Sequence, residues 1–253
     1  MDHPELILIF FMIAFLYSSI GFGGGSSYLA ILVLYGIEYT LLRALALLCN
    51  IAVVSFGVYY FSKRKYIDWK KVAPLVALSV PFSFLGGRIS LPKQTFLIVL
   101  GLTLLIAGLA ILVKKTLPSP KTGHETNTQL GQLGIGGGIG FMSGLVGIGG
   151  GIFLSPLLHL INWDTPKKIA AAASLFILVN SISGLLGQYS HHEFEMNWVL
   201  VMMLLLSVFA GGQLGTRLGA KILSENVIRR MTAILVIYVG LKLVLENGII
   251  SRL

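Results

Sequence analysis

Two glycine clusters have the residue types and spacing needed to bind a small ligand. Residues 21–25 (GFGGG) and 147–151 (GIGGG) share the pattern GxGGG, and each interrupts an apolar run. Glycine adopts positive φ without strain and lets a ligand approach the backbone closely. A short helix is predicted to begin after each cluster, near Tyr28 and Ile152. The free N–H groups and positive dipole end of such a helix attract anions. The pattern therefore predicts a small-anion site at two glycine tips.

Side chains near the clusters add candidate donors. Asn50 and Asn180 lie within apolar runs, where an amide is costly without partners. A bond to another helix explains them as well as a ligand does. The duplication, with neighbours such as Ser181 and Ser183, makes a central polar lining an equal alternative. Arg88 and Arg217 lie near predicted helix ends, where snorkelling to the interface is the simpler interpretation and anion attraction the alternative.

The predicted anion contacts come from both halves of the chain. They are Gly23, Gly24, Gly25, Ser26, Gly149, Gly150, Gly151, Asn50, Asn180, Ser19, Ser143, Arg88 and Arg217.

Glycine also serves close helix packing in membranes. The runs Gly136-x3-Gly140-x3-Gly144 and Gly211-x3-Gly215-x3-Gly219 place small residues on one helix face, and for them packing is the favoured interpretation. Packing alone does not explain why GxGGG interrupts an apolar run twice at matching places. Neither cluster has a G-x-G-x-x-G fingerprint or a P-loop lysine, so no nucleotide site is expected.

Other chemistry is poorly represented. There is no G-x-S-x-G, no H-E-x-x-H and no pair of intramembrane aspartates, so we expect no enzyme, no catalytic residue and no cofactor. The His191–Glu195 cluster is interpreted as a solvated loop and not as a metal site. The single cysteine, Cys49, excludes a disulfide framework. All ten acidic residues lie in loops or near span ends, which disfavours a carboxylate proton relay.

Composition places these residues in a membrane protein. The 253 residues are 55% hydrophobic and 11% charged, with a mean hydropathy of +0.86. An ordinary soluble domain has about 25% charged residues. The net charge of +9 comes from short basic clusters between apolar runs, so it is an orientation signal and not an indication of nucleic acid. The N-terminus lacks a basic region, and we do not interpret it as a cleaved signal peptide.

Six apolar stretches are long enough to cross a bilayer, which takes roughly 20 helical residues. They are 43–61, 72–91, 95–113, 169–188, 198–216 and 231–250. Glycine clusters break two further apolar regions into short pieces, 6–20 with 28–37 and 131–146 with 152–161. We therefore predict an all-helical membrane protein of two repeats, 1–113 and 131–253, joined by a polar linker at 114–130.

The halves carry matching motifs in the same order. The pairs are the two GxGGG clusters, Asn50 with Asn180, Asp68-Trp69 with Asn197-Trp198, and Gly86-Gly87-Arg88 with Gly215-Thr216-Arg217. Duplication of this kind is typical of transporters built from two pseudo-symmetric repeats.

Charge favours one of two topologies. If each broken region is a spanning helix, the repeats are parallel and the 19 Lys and Arg residues divide 10 to 9. If each is a re-entrant hairpin, the repeats are inverted and 14 of the 19 lie on one side. The remaining five are Arg43, Arg88, Lys93, Lys242 and Arg252. The positive-inside rule favours the inverted topology, with the 14-residue side in the cytoplasm and both termini outside.

These motifs resemble the TauE/SafE family, the sulfite and organosulfonate exporter group. The resemblance rests on the duplicated glycine tips, the two halves of three helices joined by a linker, and the GxGGG-x4-Pro string that ends at Pro156. It implies a bacterial-type inner-membrane carrier that moves sulfite, sulfoacetate or related sulfonates, usually outward. The first half departs from the pattern, because Ala30 stands where the second has Pro156.

The sequence thus predicts a multi-pass secondary transporter of a small anion that works by alternating access. An anion channel using the same tips as a filter is the alternative, and a receptor or assembly subunit is a further one. Coupling to sodium held by backbone carbonyls, coupling to a proton carried by the substrate, and no coupling all remain open. The expected partners are the anion and the lipid bilayer, without nucleic acid; a homo-oligomer is also compatible.

Overall fold

The chain forms an all-helical bundle in the part that the structure, a computed structural model, describes: residues 4–19, 22–113, 129–161, 163–190, 198–219 and 225–249. The first half contains five helices, which are α1 (Glu5–Ser18), α2 (Gly25–Leu34), α3 (Tyr39–Lys63), α4 (Trp69–Arg88) and α5 (Lys93–Val113). The second half contains α6 (Gln129–Val146), α7 (Gly151–Leu160), α8 (Pro166–Tyr189), α9 (Trp198–Leu214) and α10 (Glu225–Val244). Helices α9 and α10 continue as single π-helical turns, Gly215–Gly219 and Leu245–Ile249.

Four of these helices are long and apolar enough to cross a membrane. The four segments are Leu41–Lys63, Lys93–Leu112, Pro166–Tyr189 and Trp198–Arg217. The spans predicted at 72–91 and 231–250 also form helices, α4 and α10, but these are outside that set. Two lysines and two prolines reduce the apolar character of α4, and three basic residues lie within α10.

The broken regions form pairs of short helices, as their length predicted. Helix α1 is followed by α2 after the first glycine cluster, and α6 is followed by α7 after the second. Most of the linker predicted at 114–130 lies outside the described residues, and its last two residues begin α6.

Helices α3 and α8 form an antiparallel pair through the centre of the bundle. Leu47, early in α3, approaches Gly184, late in α8, and Gly57 approaches Ser174. Helices α5 and α10 are also antiparallel, because Gly101 approaches Gly240 and Gly108 approaches Val236.

Each long helix of a broken region packs in parallel against a helix of the other half. Helix α6 runs alongside α4. Gly136 packs against the carbonyl oxygen of Leu75, Gly140 against Ser79, and Gly144 against the carbonyl oxygen of Ser83. Helix α1 runs alongside α9 in the same way. Gly211 packs against the carbonyl oxygen of Phe11, and Gly215 against that of Phe15. The packing interpretation of these glycine runs is confirmed for the residues named here. Because these contacts cross between the halves, the halves are interleaved.

The loop at 64–68 and residues 163–165 lie at the same end of the bundle. Lys71 Nζ lies 2.8 Å from Asp164 Oδ2, and Trp163 packs in one apolar cluster with Ile67. Burial alone would raise the pKa of the Asp164 carboxyl. Hydrogen bonds from Lys71 and the Thr165 N–H, with the Lys71 and Lys168 charges, outweigh burial and hold that pKa below its ordinary value. The chain therefore returns after α7 to the end where α4 begins.

The α4–α6 contact yields a stability test. A Cβ on Gly140 would lie 2.5 Å from Ser79 O, so Gly140→Ala should force the helices apart and cost about 1 to 3 kcal/mol. Gly138 is exposed, and a Cβ there would meet nothing within 4 Å. Gly138→Ala should therefore be neutral or stabilising by up to about 1 kcal/mol. Thermal unfolding of both variants in detergent measures the difference; equal melting temperatures would contradict close packing at Gly140.

Candidate functional site

The two glycine tips have the same backbone conformation at the residue before the short helix. Gly24 precedes α2 with φ of 91°, and Gly150 precedes α7 with φ of 79°. Both are left-handed conformations, which side chains other than glycine rarely adopt. The first N–H groups of a helix have no partner within it, so each tip presents donors at its helix N-terminus.

The tips meet at Asn50, which lies in α3 and is fully buried. Its Nδ2 donates to Ile148 O in the second tip at 2.9 Å. On the other side, a Cβ on Gly23 in the first tip would overlap Asn50 Oδ1, and one on Gly25 would overlap Ile148 O. The amide of Asn50 therefore lies between the two tips, and both approach it closely because they have no side chains.

Hydroxyl groups without partners surround the second tip. Ser143 and Ser181 are fully buried, and neither Oγ has a hydrogen-bond partner among the described residues. Ser181 Oγ and Asn50 Nδ2 lie 3.0 and 2.6 Å from the position of a Cβ on Gly149, and Ser143 Cβ lies 3.3 Å from that of Gly150. The second tip is thus lined by groups that can donate hydrogen bonds.

Asn180 does not occupy the position that Asn50 occupies. Its Nδ2 donates to Ser79 Oγ at 3.0 Å and to Phe176 O at 2.8 Å. The residues of α8 that face the second tip are Phe176, Ile177 and Ser181. The residue numbers explain this difference. Gly149 comes 126 residues after Gly23, and Phe176 comes 126 residues after Asn50, so Phe176 is the residue of α8 that is equivalent to Asn50. Asn180 lies four residues later, which is about one helical turn. Matching the two asparagines by residue type alone concealed this shift.

Of the two remaining predicted serines, one has a local hydrogen bond. Ser19 is half-buried, and its Oγ donates to Leu16 O at 2.6 Å, in the turn that ends α1. Ser26 is buried in the first turn of α2, next to the first tip. Gly21 lies outside the described residues, as does the 191–197 loop with its His and Glu cluster.

The two predicted arginines lie at opposite ends of the bundle, and the structure does not bring them to the tips. Arg88 is exposed at the C-terminal end of α4. Arg217 is exposed and stacks over the Phe56 ring at 5.1 Å, towards the other end of α3. Both positions agree with the interfacial interpretation.

Arg43 is a buried charge that the sequence analysis counted only for orientation. Its Nη2 donates to Gly87 O at 3.0 Å and to Gly144 O at 2.9 Å, and its Nη1 donates to Ile89 O at 3.1 Å. These carbonyls belong to the C-terminal ends of α4 and α6, where a cation complements the helix dipole. Arg43 thus fixes α6 just before the second tip, and a Cβ on Gly147 would lie 2.9 Å from Arg43 Cα. The available signal was its position at the start of the predicted span 43–61, directly after the apolar residues Leu41 and Leu42.

Comparison with known families identifies the sequence. The sequence model described as sulfite exporter TauE/SafE matches residues 6–243. The chain belongs to the TauE/SafE family. The expected resemblance is therefore confirmed, and no solved structure matches the chain.

Relatives from distant microorganisms carry the name of a membrane transporter. "Probable membrane transporter protein y4hK" of Sinorhizobium fredii is 33% identical over 246 residues, covering 94% of this chain and 96% of the relative. "Probable membrane transporter protein YunE" of Bacillus subtilis is 27% identical, and the match covers 76% of this chain and 75% of the relative. The Methanocaldococcus jannaschii protein MJ0441 is 25% identical, with 92% of each chain covered. Family and names support a membrane transporter rather than an enzyme.

The role of Arg43 can be tested against an exposed arginine. Arg43→Gln leaves the carbonyls of Gly87, Ile89 and Gly144 without their charged donor, and should lower the free energy of unfolding by about 2 to 4 kcal/mol. Arg88→Gln should change it by less than about 0.5 kcal/mol, because Arg88 is exposed. The measurement is thermal unfolding of the purified variants; a similar effect at both positions would refute the structural role of Arg43.

Proposed function

We propose that this chain is a secondary carrier of small sulfur-containing anions, such as sulfite, sulfoacetate or other organosulfonates. The anion binds near the bilayer midplane between the two GxGGG tips, and access alternates between the two faces of the membrane. The observation that carries this proposal is the meeting of both tips at Asn50, with the unpartnered hydroxyls of Ser143 and Ser181 beside the second. The site therefore combines two helix N-termini with several neutral donors.

This set of donors suits an oxyanion better than a cation or an apolar ligand. Helix N-termini carry partial positive charge, and their N–H groups satisfy oxygen atoms that have left water. A buried hydroxyl without a partner is costly, and an anion oxygen would supply an acceptor to Ser143 and to Ser181. Sulfite and sulfonates present three oxygens on one sulfur atom. The choice of sulfur anions, and export as the direction, follow from the family.

The helix pairing supports two inverted repeats. In two repeats of the same design, α1 corresponds to α6 and α4 corresponds to α9. The parallel pair formed by α6 and α4 is then equivalent to the parallel pair formed by α1 and α9. The pairs α3–α8 and α5–α10 then each join equivalent helices, and both run antiparallel. A twofold axis in the membrane plane relates helices in this way, as in carriers whose repeats rock against one another.

The contact between Lys71 and Asp164 supports hairpins rather than spanning helices. If the region formed by α6 and α7 crossed the membrane, the loops before α4 and before α8 would lie on opposite faces. With a hairpin they lie on one face. The basic residues at this end then lie in the cytoplasm by the positive-inside rule.

The topology can be tested by labelling single cysteines. The one native cysteine, Cys49, is buried and can be replaced by serine. Ser119→Cys in the linker and Phe194→Cys in the 191–197 loop should react from opposite faces with a membrane-impermeant maleimide, the linker from the cytoplasmic side. Labelling of both from the same side would contradict the inverted arrangement and favour parallel repeats.

Transport can be tested by flux of labelled sulfite and sulfonates in proteoliposomes, with chloride and a neutral amino acid as controls. A carrier should show saturable uptake and counterflow, whereas a channel should carry flux that does not saturate at moderate concentrations. Gly150→Val should abolish uptake in folded protein, because φ of 79° and contact with Phe176 leave no place for a side chain. Gly24→Val should do the same at the first tip.

Gly134→Val is the matched control, since a Cβ there would meet nothing within 4 Å, and it should retain uptake. Full uptake by both tip variants would remove the tips from the mechanism. No flux of any sulfur anion by folded wild-type protein would overturn the proposed cargo.

A further inference from the structure

The carboxamide oxygen of Asn50, Oδ1, is not used by the proposed anion site. The hydrogen bond from Nδ2 to Ile148 O fixes which way the amide faces. Its Oδ1 therefore faces the first tip, where a Cβ on Gly23 would overlap it. Asn50 is fully buried, and Oδ1 has no hydrogen-bond partner among the described residues.

An oxyanion cannot satisfy this oxygen. An amide oxygen only accepts hydrogen bonds, as does an ionised sulfite or sulfonate oxygen. A buried acceptor without a partner destabilises the folded protein, so Oδ1 needs either a donor or a cation. The amide of Asn50 therefore presents a donor, Nδ2, towards the second tip and an acceptor, Oδ1, towards the first.

The first tip places non-helical backbone next to Oδ1. The backbone is non-helical at residues 22–24, between α1 and α2, and the C-terminal end of α1 carries partial negative charge. In carriers with interrupted helices, unwound carbonyls and the C-terminal ends of half-helices commonly coordinate Na⁺. Ca²⁺ and Mg²⁺ sites usually contain carboxylates, whereas the acidic residues of this chain lie in loops or near span ends. Neutral oxygens alone suit a monovalent cation.

We propose that Asn50 Oδ1 is a ligand of a sodium site at the first tip, completed by the backbone carbonyls of residues 22–23. This sodium site lies on the Oδ1 side of Asn50 and is separate from the position of the anion between the two tips, and Asn50 contributes one atom to each. Opposite charges held on the two sides of one buried amide attract each other strongly at low dielectric. Sodium should therefore raise the affinity for the anion, and the anion should raise the affinity for sodium by the same factor. This last step rests on the proposed function, but the sodium site itself does not.

The sodium site is tested by thermal unfolding of purified wild-type protein in detergent without substrate. Choline chloride is replaced by NaCl at constant chloride and ionic strength, and unfolding is followed by tryptophan fluorescence. A ligand that binds only the folded state raises the melting temperature in a saturable way. We expect a rise of about 2 °C or more with NaCl, and a smaller one with KCl. Equal melting temperatures in NaCl and choline chloride would overturn the proposal.

Variants assign the effect to Oδ1. Asn50→Ala removes the oxygen and should abolish the response to sodium, whereas Asn50→Asp keeps an oxygen there and should retain or increase it. If Asn50→Ala does not fold, Gly23→Ala takes its place, because its methyl group would overlap Oδ1. Ser181→Ala is the matched control, since Ser181 lies at the second tip, and it should keep the full response. A response that survives the loss or the blocking of Oδ1 would refute this site.

A second titration separates this proposal from the proposed function. Potassium sulfite is added at a fixed concentration, and the sodium titration is repeated. If sodium shifts the melting temperature and sulfite has no effect, the cation site stands and the anion proposal fails. If sulfite shifts it and sodium does not, the anion proposal stands and the sodium site is wrong. An increase in the apparent sodium affinity with sulfite would support both sites and their coupling.

Discussion

The arrangement of this protein depends on how it satisfies backbone groups at two helix breaks inside an apolar bundle. Lipid offers these groups no hydrogen bonds, so protein atoms or a ligand must supply them. Asn50 supplies one, through the bond from Nδ2 to Ile148 O, and Arg43 supplies donors to the carbonyls that end α4 and α6. The second break is thus held on both sides by side chains of α3, a helix of the other half.

Much of this architecture can be predicted from the sequence, because hydropathy and glycine act locally. Length and apolar composition predicted α3, α5, α8 and α9 as spans, and all four have the character of membrane helices. The GxGGG clusters predicted the two breaks, since a run of glycines both weakens a helix and permits positive φ. The spacing of Gly136, Gly140 and Gly144 predicted a close-packed face, which α4 covers.

The details of the site were harder to predict, because they depend on which helix faces which. Asn50 and Asn180 are the same residue type in matching sequence motifs, but Asn180 lies one helical turn beyond the position equivalent to Asn50. One turn is enough to give the two amides different hydrogen-bond partners. The sequence offered Ser181 only as a neighbour of Asn180, and its approach to Gly149 in the fold is what places it at the second tip. Arg43 carried a local signal, a charge inside an apolar run, but its partners on α4 and α6 are distant in sequence.

The exchange of helices between the halves has a consequence for synthesis. Helix α1 packs along α9, which begins about 190 residues later. At a translation rate of roughly 5 to 20 residues per second, the nascent α1 waits on the order of 10 to 40 s before its partner exists. During that time the face of α1 that later packs against Gly211 and Gly215 is open to lipid and to the insertion machinery. The first half therefore cannot reach its final packing on its own, and the order in which helices leave the ribosome becomes part of how this fold is reached.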